Sequence, residues 1–152
     1  DEYIPAFNKV NISRMKLEST PILTKSVMIT FAPNSWNLDT KYDASIPNVI
    51  EDVGRLAGKF AAARVVIEGN VDTSRKIEFQ REGPRLFKEM SLAVQELSER
   101  RADSVRQSII NRYKFSPNKL AVIGNGWDNP ISLTDHSKNR RVEIKVYPPE
   151  AE

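Results

Sequence analysis

The chain has 152 residues, 39% hydrophobic and 28% charged, with a formal net charge of +3 from 23 basic and 20 acidic side chains. That balance describes one globular domain with enough interior for a core, and the small, interspersed basic excess excludes the footprint of a nucleic-acid binder. There is no cysteine for a disulfide or thiolate metal site, and the single histidine, His136, reads as a solvated loop residue without a ligand set.

No apolar run approaches the roughly 18–20 residues that span a bilayer. The chain opens on Asp1 without a secretory leader, as expected of a processed chain or a piece of a longer one. Residues 1–24, with Pro5 and Pro21, read as an extended lead-in or linker. Val27 to Phe31 is a β-branched and aromatic run stopped by Pro33, the first expected strand. Ile46, Val49, Ile50, Val53, Leu56, Ala57 and Phe60 then recur at spacings of three and four. They predict an amphipathic helix with Asp43 or Ser45 at its cap and Pro47 in its first turn.

Arg64 to Asn70 is the second strand, nearly continuous in Val and Ile, as when both faces are covered. The charged stretch at about 74–96, broken at Gly83-Pro84 and bearing Ile77, Phe79, Leu86 and Phe87, reads as an insertion with a short helix after Pro84. The second main helix is expected from Ser91 or Leu92 to Tyr113. Leu120 to Gly124 is a third strand, and Arg141 to Tyr147 alternates like a fourth with one solvated face. Trp36 and Trp127 read as covers over core edges.

This order predicts an α+β domain over 25–149, followed by a tail at 150–152. It is a βαβαββ two-layer sandwich with helices on one face of a mixed parallel/antiparallel four-stranded sheet. The crossover helices imply a parallel pair, and the short last connection favours an antiparallel pairing. Leu97, Arg101 and Val105 share one helix face, which threads an arginine into an apolar stripe. A buried guanidinium needs an anionic partner: Asp72 at the end of the second strand, a ligand, or both.

Four segments in order resemble the OmpA C-terminal-like domain of the Pal and MotB type over about residues 26–147. Phe31-Ala32-Pro33-Asn34 through Leu38 resembles its first strand and loop, and Ile67-Glu68-Gly69-Asn70-Val71-Asp72 its I-x-G-H-T-D signature. Leu97-Ser98-x-x-Arg101-Ala102 resembles L-S-x-x-R-A. Gly124-x-Gly126 with Pro130, then Asn139-Arg140-Arg141-Val142-Glu143-Ile144, resembles its G-x-G and N-R-R-V-E-I. Asn70-Val71 stand where the family has His-Thr, Val94 falls on a family asparagine, and the segment between Asp72 and Arg101 is longer than usual.

The resemblance implies a non-catalytic, cofactor-free module in the periplasm of a Gram-negative-type envelope. Such a module anchors a larger protein to the cell wall by recognising the diaminopimelate end of peptidoglycan stem peptides. That end carries an ammonium and a carboxylate on one carbon. Asp72 would accept from the ammonium and Arg101 would grip the carboxylate with its planar fork, while Asn34, Thr73, Arg140 and Arg141 complete the expected ligand-binding set. At least one of Arg140 and Arg141 is expected to be structural. The alternative is an OmpA-like interaction module that has lost wall binding and meets a protein partner through 74–96. An enzyme has little support: there is no nucleophile with a base, no metal set, and no dinucleotide fingerprint around Gly124-x-Gly126.

Overall fold

The computed structural model describes residues 27–59 and 63–147; the lead-in at 1–24, Phe60 and the tail at 150–152 lie outside them. Among the described residues the order is β1 (Val27–Thr30), α1 (Ile46–Lys59), β2 (Arg64–Gly69), α2 (Lys76–Arg81), α3 (Pro84–Tyr113), β3 (Leu120–Gly124) and β4 (Arg141–Tyr147). Short 3-10 turns lie at Pro117–Lys119 and His136–Asn139. His136, expected to be solvated, is half-buried in the second of these with its Nδ1 enclosed.

The sheet is mixed, α+β in class, and runs β1-β4-β2-β3. β2 and β3 are parallel, with Ile67 opposite Val122, as a crossover through α3 requires. β4 is antiparallel, but it does not lie beside its chain neighbour β3, as the short connection suggested. It fills the central slot between β1 and β2, with Ile144 opposite both Val27 and Ile67. Its composition explains this: Val142, Ile144 and Val146 are all buried, which a central position allows.

Period-two alternation sends Val65 and Ile67 of β2 and Val142, Ile144 and Val146 of β4 towards the helices. There they join Ile50, Val53 and Ala57 of α1 and Ala102, Val105 and Ile109 of α3 in one core. Val66, Ile123 and Tyr147 form a smaller cluster on the other face. The outer face of β4 is only partly solvated: Glu143 and Lys145 are half-buried, and Arg141 and Tyr147 are each only 1% exposed. Arg141 is neutralised there by Glu143 and donates to the Asn129 carbonyl at 2.9 Å, while Lys145 Nζ lies 2.6 Å from the buried Glu68 carboxylate. Pairing of this kind offsets the cost of burying the charges.

Asp43 fixes where α1 begins. One carboxylate oxygen accepts from the Ser45 amide and hydroxyl, the other from the Thr30 amide at 2.9 Å and its hydroxyl at 3.1 Å, so a helix start is tied to the end of β1. Burial opposes its charge, but the hydrogen bonds from Ser45 and Thr30 win and hold the carboxyl below the usual carboxylate range.

α3 is one helix of 30 residues, about 45 Å long, from Pro84 rather than from Ser91 or Leu92. Gly83 precedes it with φ 119°, a conformation that favours glycine, and Pro84 occupies the first helical turn. The helix presses closely on the sheet at Gly69, where a Cβ would fall 1.8 Å from the Ser98 carbonyl oxygen. Ser98 Oγ in turn accepts from the Gly126 amide at 2.9 Å and donates to the Gln95 carbonyl at 2.7 Å. This contact sets the height of α3 over the ends of β2 and β3, and so the position of everything on its next turn.

Candidate functional site

β1, β2 and β3 end, and β4 begins, along the same edge of the sheet. The loops leaving that edge and one face of α3 enclose a cavity of about 340 Å³. Pro33 and Asn34 follow β1, Val71 and Asp72 follow β2, Trp127 follows β3, and Arg140 precedes β4; all of them line it. Met90, Val94, Leu97 and Arg101, at helical spacing on α3, form the facing wall.

Arg101 forms the floor and has 0% exposure. Its Nε donates to the Ser35 carbonyl at 2.8 Å, Nη1 to Asn70 at 2.9 Å and Nη2 to Ala32 at 3.2 Å. Its guanidinium also sits 5.4 Å from the Phe31 ring centroid. Every hydrogen-bond acceptor it meets is thus a backbone carbonyl, and among the described residues no carboxylate pairs with it. Two of its five N–H donors are left over. Burial first, then the neighbouring Arg140 charge, lower its pKa to about 10, with Asp72 and Tyr42 pulling the other way. It remains a cation at neutral pH. Burying a cation with no carboxylate in contact is costly, and the nearby Asp72 charge offsets part of that cost.

The sequence left open whether Asp72 is the partner of Arg101. Asp72 pairs instead with Arg140, Nη1 to Oδ2 at 3.0 Å across 68 residues of chain. Its Oδ1 accepts from the Ser74 amide at 3.0 Å and the Ser74 hydroxyl at 2.6 Å. Arg140 also donates to the Phe31 carbonyl and to the Tyr42 hydroxyl, which fastens the first loop to the base of β4.

Burial raises the pKa of Asp72, but Ser74 and Arg140 together hold the carboxyl below the ordinary value. A depressed carboxyl stabilises the fold fully above its unfolded pKa, about 3.9, and loses that contribution as pH falls through the native value. The stability difference between wild type and Asp72→Asn should therefore stay constant from pH 8 down to about 4 and shrink only below that. Urea midpoints across that range check it, and a difference that fades between pH 7 and 5 would contradict the assignment.

Of the six residues expected at the site, Asn34, Asp72, Arg101 and Arg140 line the cavity together. Asn34, exposed and with φ 57°, stands at its mouth. Thr73 does not line it; its carbonyl accepts from the Lys76 amide at the start of α2. Arg141 does not either, because β-strand alternation turns it to the opposite face. The cavity is also lined by Ser74, Arg75, Phe79, Met90 and Trp127, which the sequence did not place there, and by Val94, which the resemblance set on a family asparagine position. Met90 and Val94 carry a signal that could have found them: they continue the spacing of Leu97 and Arg101 towards the N-terminus. Trp127 is 5% exposed, stacked on Phe87 at 5.6 Å and tilted against Phe79 at 6.3 Å. Trp36, expected to cover a core edge, is instead 42% exposed beneath the Arg100 guanidinium at 4.8 Å.

Residues 30–143 match the model of the OmpA family. The chain belongs to the OmpA family. Among curated relatives it is 28% identical over 131 residues to outer membrane protein Omp38 of Acinetobacter baumannii, a match covering 86% of this chain and 32% of Omp38. The chain thus spans about a third of that relative's length. Among solved structures it resembles the peptidoglycan-associated lipoprotein from Burkholderia pseudomallei, with TM-score 0.60, 18% identity, and coverage of 82% of this chain and 92% of that one. It also resembles the C-terminal domain of Helicobacter pylori MotB, with TM-score 0.55, 23% identity, and coverage of 78% and 82%. These likenesses are of fold.

Within this OmpA-family chain the replacement of His-Thr by Asn70-Val71 now has a structural meaning. Asn70 is 1% exposed; its amide nitrogen donates to the Glu68 carbonyl at 3.2 Å and its oxygen accepts from Asn125 at 3.2 Å. The side chain braces the two loops behind the cavity. Val71, also buried, lines the cavity beside Asp72. Among the described residues no helix is long and apolar enough to cross a membrane, and no group of three or more acidic or histidine residues could hold a metal ion.

Proposed function

We propose that this domain is a non-catalytic peptidoglycan-binding module of the bacterial periplasm, which anchors a larger envelope protein to the cell wall by taking the diaminopimelate end of a stem peptide into the cavity. The observation that carries the reading is the buried Arg101 cation, held only by carbonyls, at the floor of a cavity whose wall presents Asp72. An ammonium at Asp72 and a carboxylate beside Arg101 would use one charge of each sign. Because Asp72 rests on Arg140 and Arg101 has no exposure of its own, the ligand exchanges partners with Arg140 and pushes aside the groups above Arg101 as it seats. Charge-assisted hydrogen bonds contribute roughly 1.5–3 kcal/mol each. Two or three of them, less the ordering of a flexible peptide, give a dissociation constant from about millimolar to micromolar, sufficient for a polymer that repeats the ligand.

The alternative, a protein-docking role for 74–96, has less support. Two of the apolar residues that suggested it, Phe79 and Phe87, are turned inward onto Trp127. The segment serves the reading better as the cavity's side wall.

Pull-down on diaminopimelate-containing sacculi tests the proposal. Wild type should sediment with them, Asp72→Ala should lose most of that binding while keeping its circular dichroism, and sacculi with lysine in place of diaminopimelate should bind poorly. Unchanged sedimentation of folded Asp72→Ala would dismiss the site, and equal retention on lysine sacculi would dismiss the zwitterion argument.

A further inference from the structure

We propose that Arg75 is a specificity-determining residue that reads a second carboxylate of the bound peptide, so that the site prefers stem peptides with free α-carboxylates over their amidated forms. This rests on the stem-peptide reading above. The charged side chains lining the cavity are Arg75, Arg101 and Arg140 against Asp72; Arg140 is paired with Asp72, and Arg75 with Glu78, which lies outside the lining. The free end of diaminopimelate is neutral as a whole, with one charge of each sign, and leaves the Arg75 fork to whichever carboxylate displaces Glu78. Further α-carboxylates on the stem peptide would use it; carboxamides in their place would not.

Position separates the roles. Arg101 is at the floor with no exposure, whereas the Arg75 side chain is 62% exposed at the rim. A ligand whose end reaches the floor must carry the rest of its chain out past that rim. The Arg75 guanidinium is poised there, 4.5 Å above the Phe79 ring, and Phe79 is itself braced against Trp127. Its fork is occupied by Glu78, Nε to Oε2 at 3.0 Å and Nη2 to Oε1 at 3.3 Å, with Glu82 adding to the local negative field. The Glu78 side chain is 54% exposed. An exposed pair of this kind is weak and exchanges readily, and the geometry it holds is the two-point grip that a ligand carboxylate would take over.

Titration calorimetry with two soluble peptides decides the matter: L-alanyl-γ-D-glutamyl-diaminopimelate, and the same peptide with the glutamate α-carboxylate as carboxamide. Wild type should bind the acid on the order of tenfold more tightly than the amide. Arg75→Gln should erase the preference by weakening the acid alone, and Glu78→Gln should widen it by freeing the guanidinium. If wild type binds both peptides equally, or Arg75→Gln weakens both alike, the role of Arg75 falls while the stem-peptide reading stands. If wild type binds neither, both fall together.

Discussion

Replacing Arg101 with alanine should lower the unfolding free energy by about 3 kcal/mol or more, among the largest effects of any single substitution in the domain. The guanidinium joins three carbonyls, of Ala32, Ser35 and Asn70, that belong to two separate loops. Truncation leaves those acceptors buried without donors, opens a void under Phe31, and releases the first loop from the edge of the sheet. Urea denaturation measures the loss directly, and a change below about 1 kcal/mol would contradict the structural account. The result also governs how binding is assayed. An alanine variant that fails to bind may only report unfolding, so Arg101→Lys is the better probe: it keeps the charge and loses the fork.

Gly69→Ala should be comparably severe and for a different reason. A Cβ at this position meets the Ser98 carbonyl oxygen at 1.8 Å and the Ala102 amide nitrogen at 3.3 Å. Both are backbone of α3, so no side chain can rotate away and the helix itself must rise. Overpacking costs typically 1–3 kcal/mol where neighbours can yield, and here the expectation is about 3 kcal/mol or more. Gly124→Ala provides the comparison. Its nearest obstacles, Glu99 Cγ and Ser98 Oγ at 2.5 Å, are side-chain atoms, with the Gln95 carbonyl at 2.9 Å. Thermal melting should rank Gly69→Ala clearly below Gly124→Ala, and the reverse order would mean that the α3 backbone does not press on Gly69. Because Arg101 is less than a turn beyond Ser98, any lift of the helix also displaces the cavity floor.

The strands were legible in the sequence because runs such as Val65-Val66-Ile67 and Leu120-Ala121-Val122-Ile123 announce themselves locally. The place of β4 was not: residues 125–140, expected to act as a short connection, are long enough to pass the end of β2 and reach the slot beyond it. The start of α3 is hidden because Arg85, Lys88 and Glu89 dominate its first turns, although Phe87, Met90, Val94 and Leu97 carry the spacing of its inner face. At the site, Asp72, Arg101 and Asn34 were recognisable from the motifs that hold them. The exchange of partners, Asp72 with Arg140 and Arg101 with carbonyls, depends on loop geometry that no spacing encodes. Phe79 and Phe87 lie in a charged segment that reads as an insertion, and only the fold sets both rings against Trp127.

The three carbonyls that Arg101 gathers lie 31, 66 and 69 residues from it along the chain. Contacts at such separations form only once most of the polypeptide has condensed, since each closes a long loop at an entropic cost. No short fragment of the domain can therefore retain a half-made cavity: the pocket is completed by the same cooperative step that completes the fold, and local fraying on either side of it disperses the lining groups as a set.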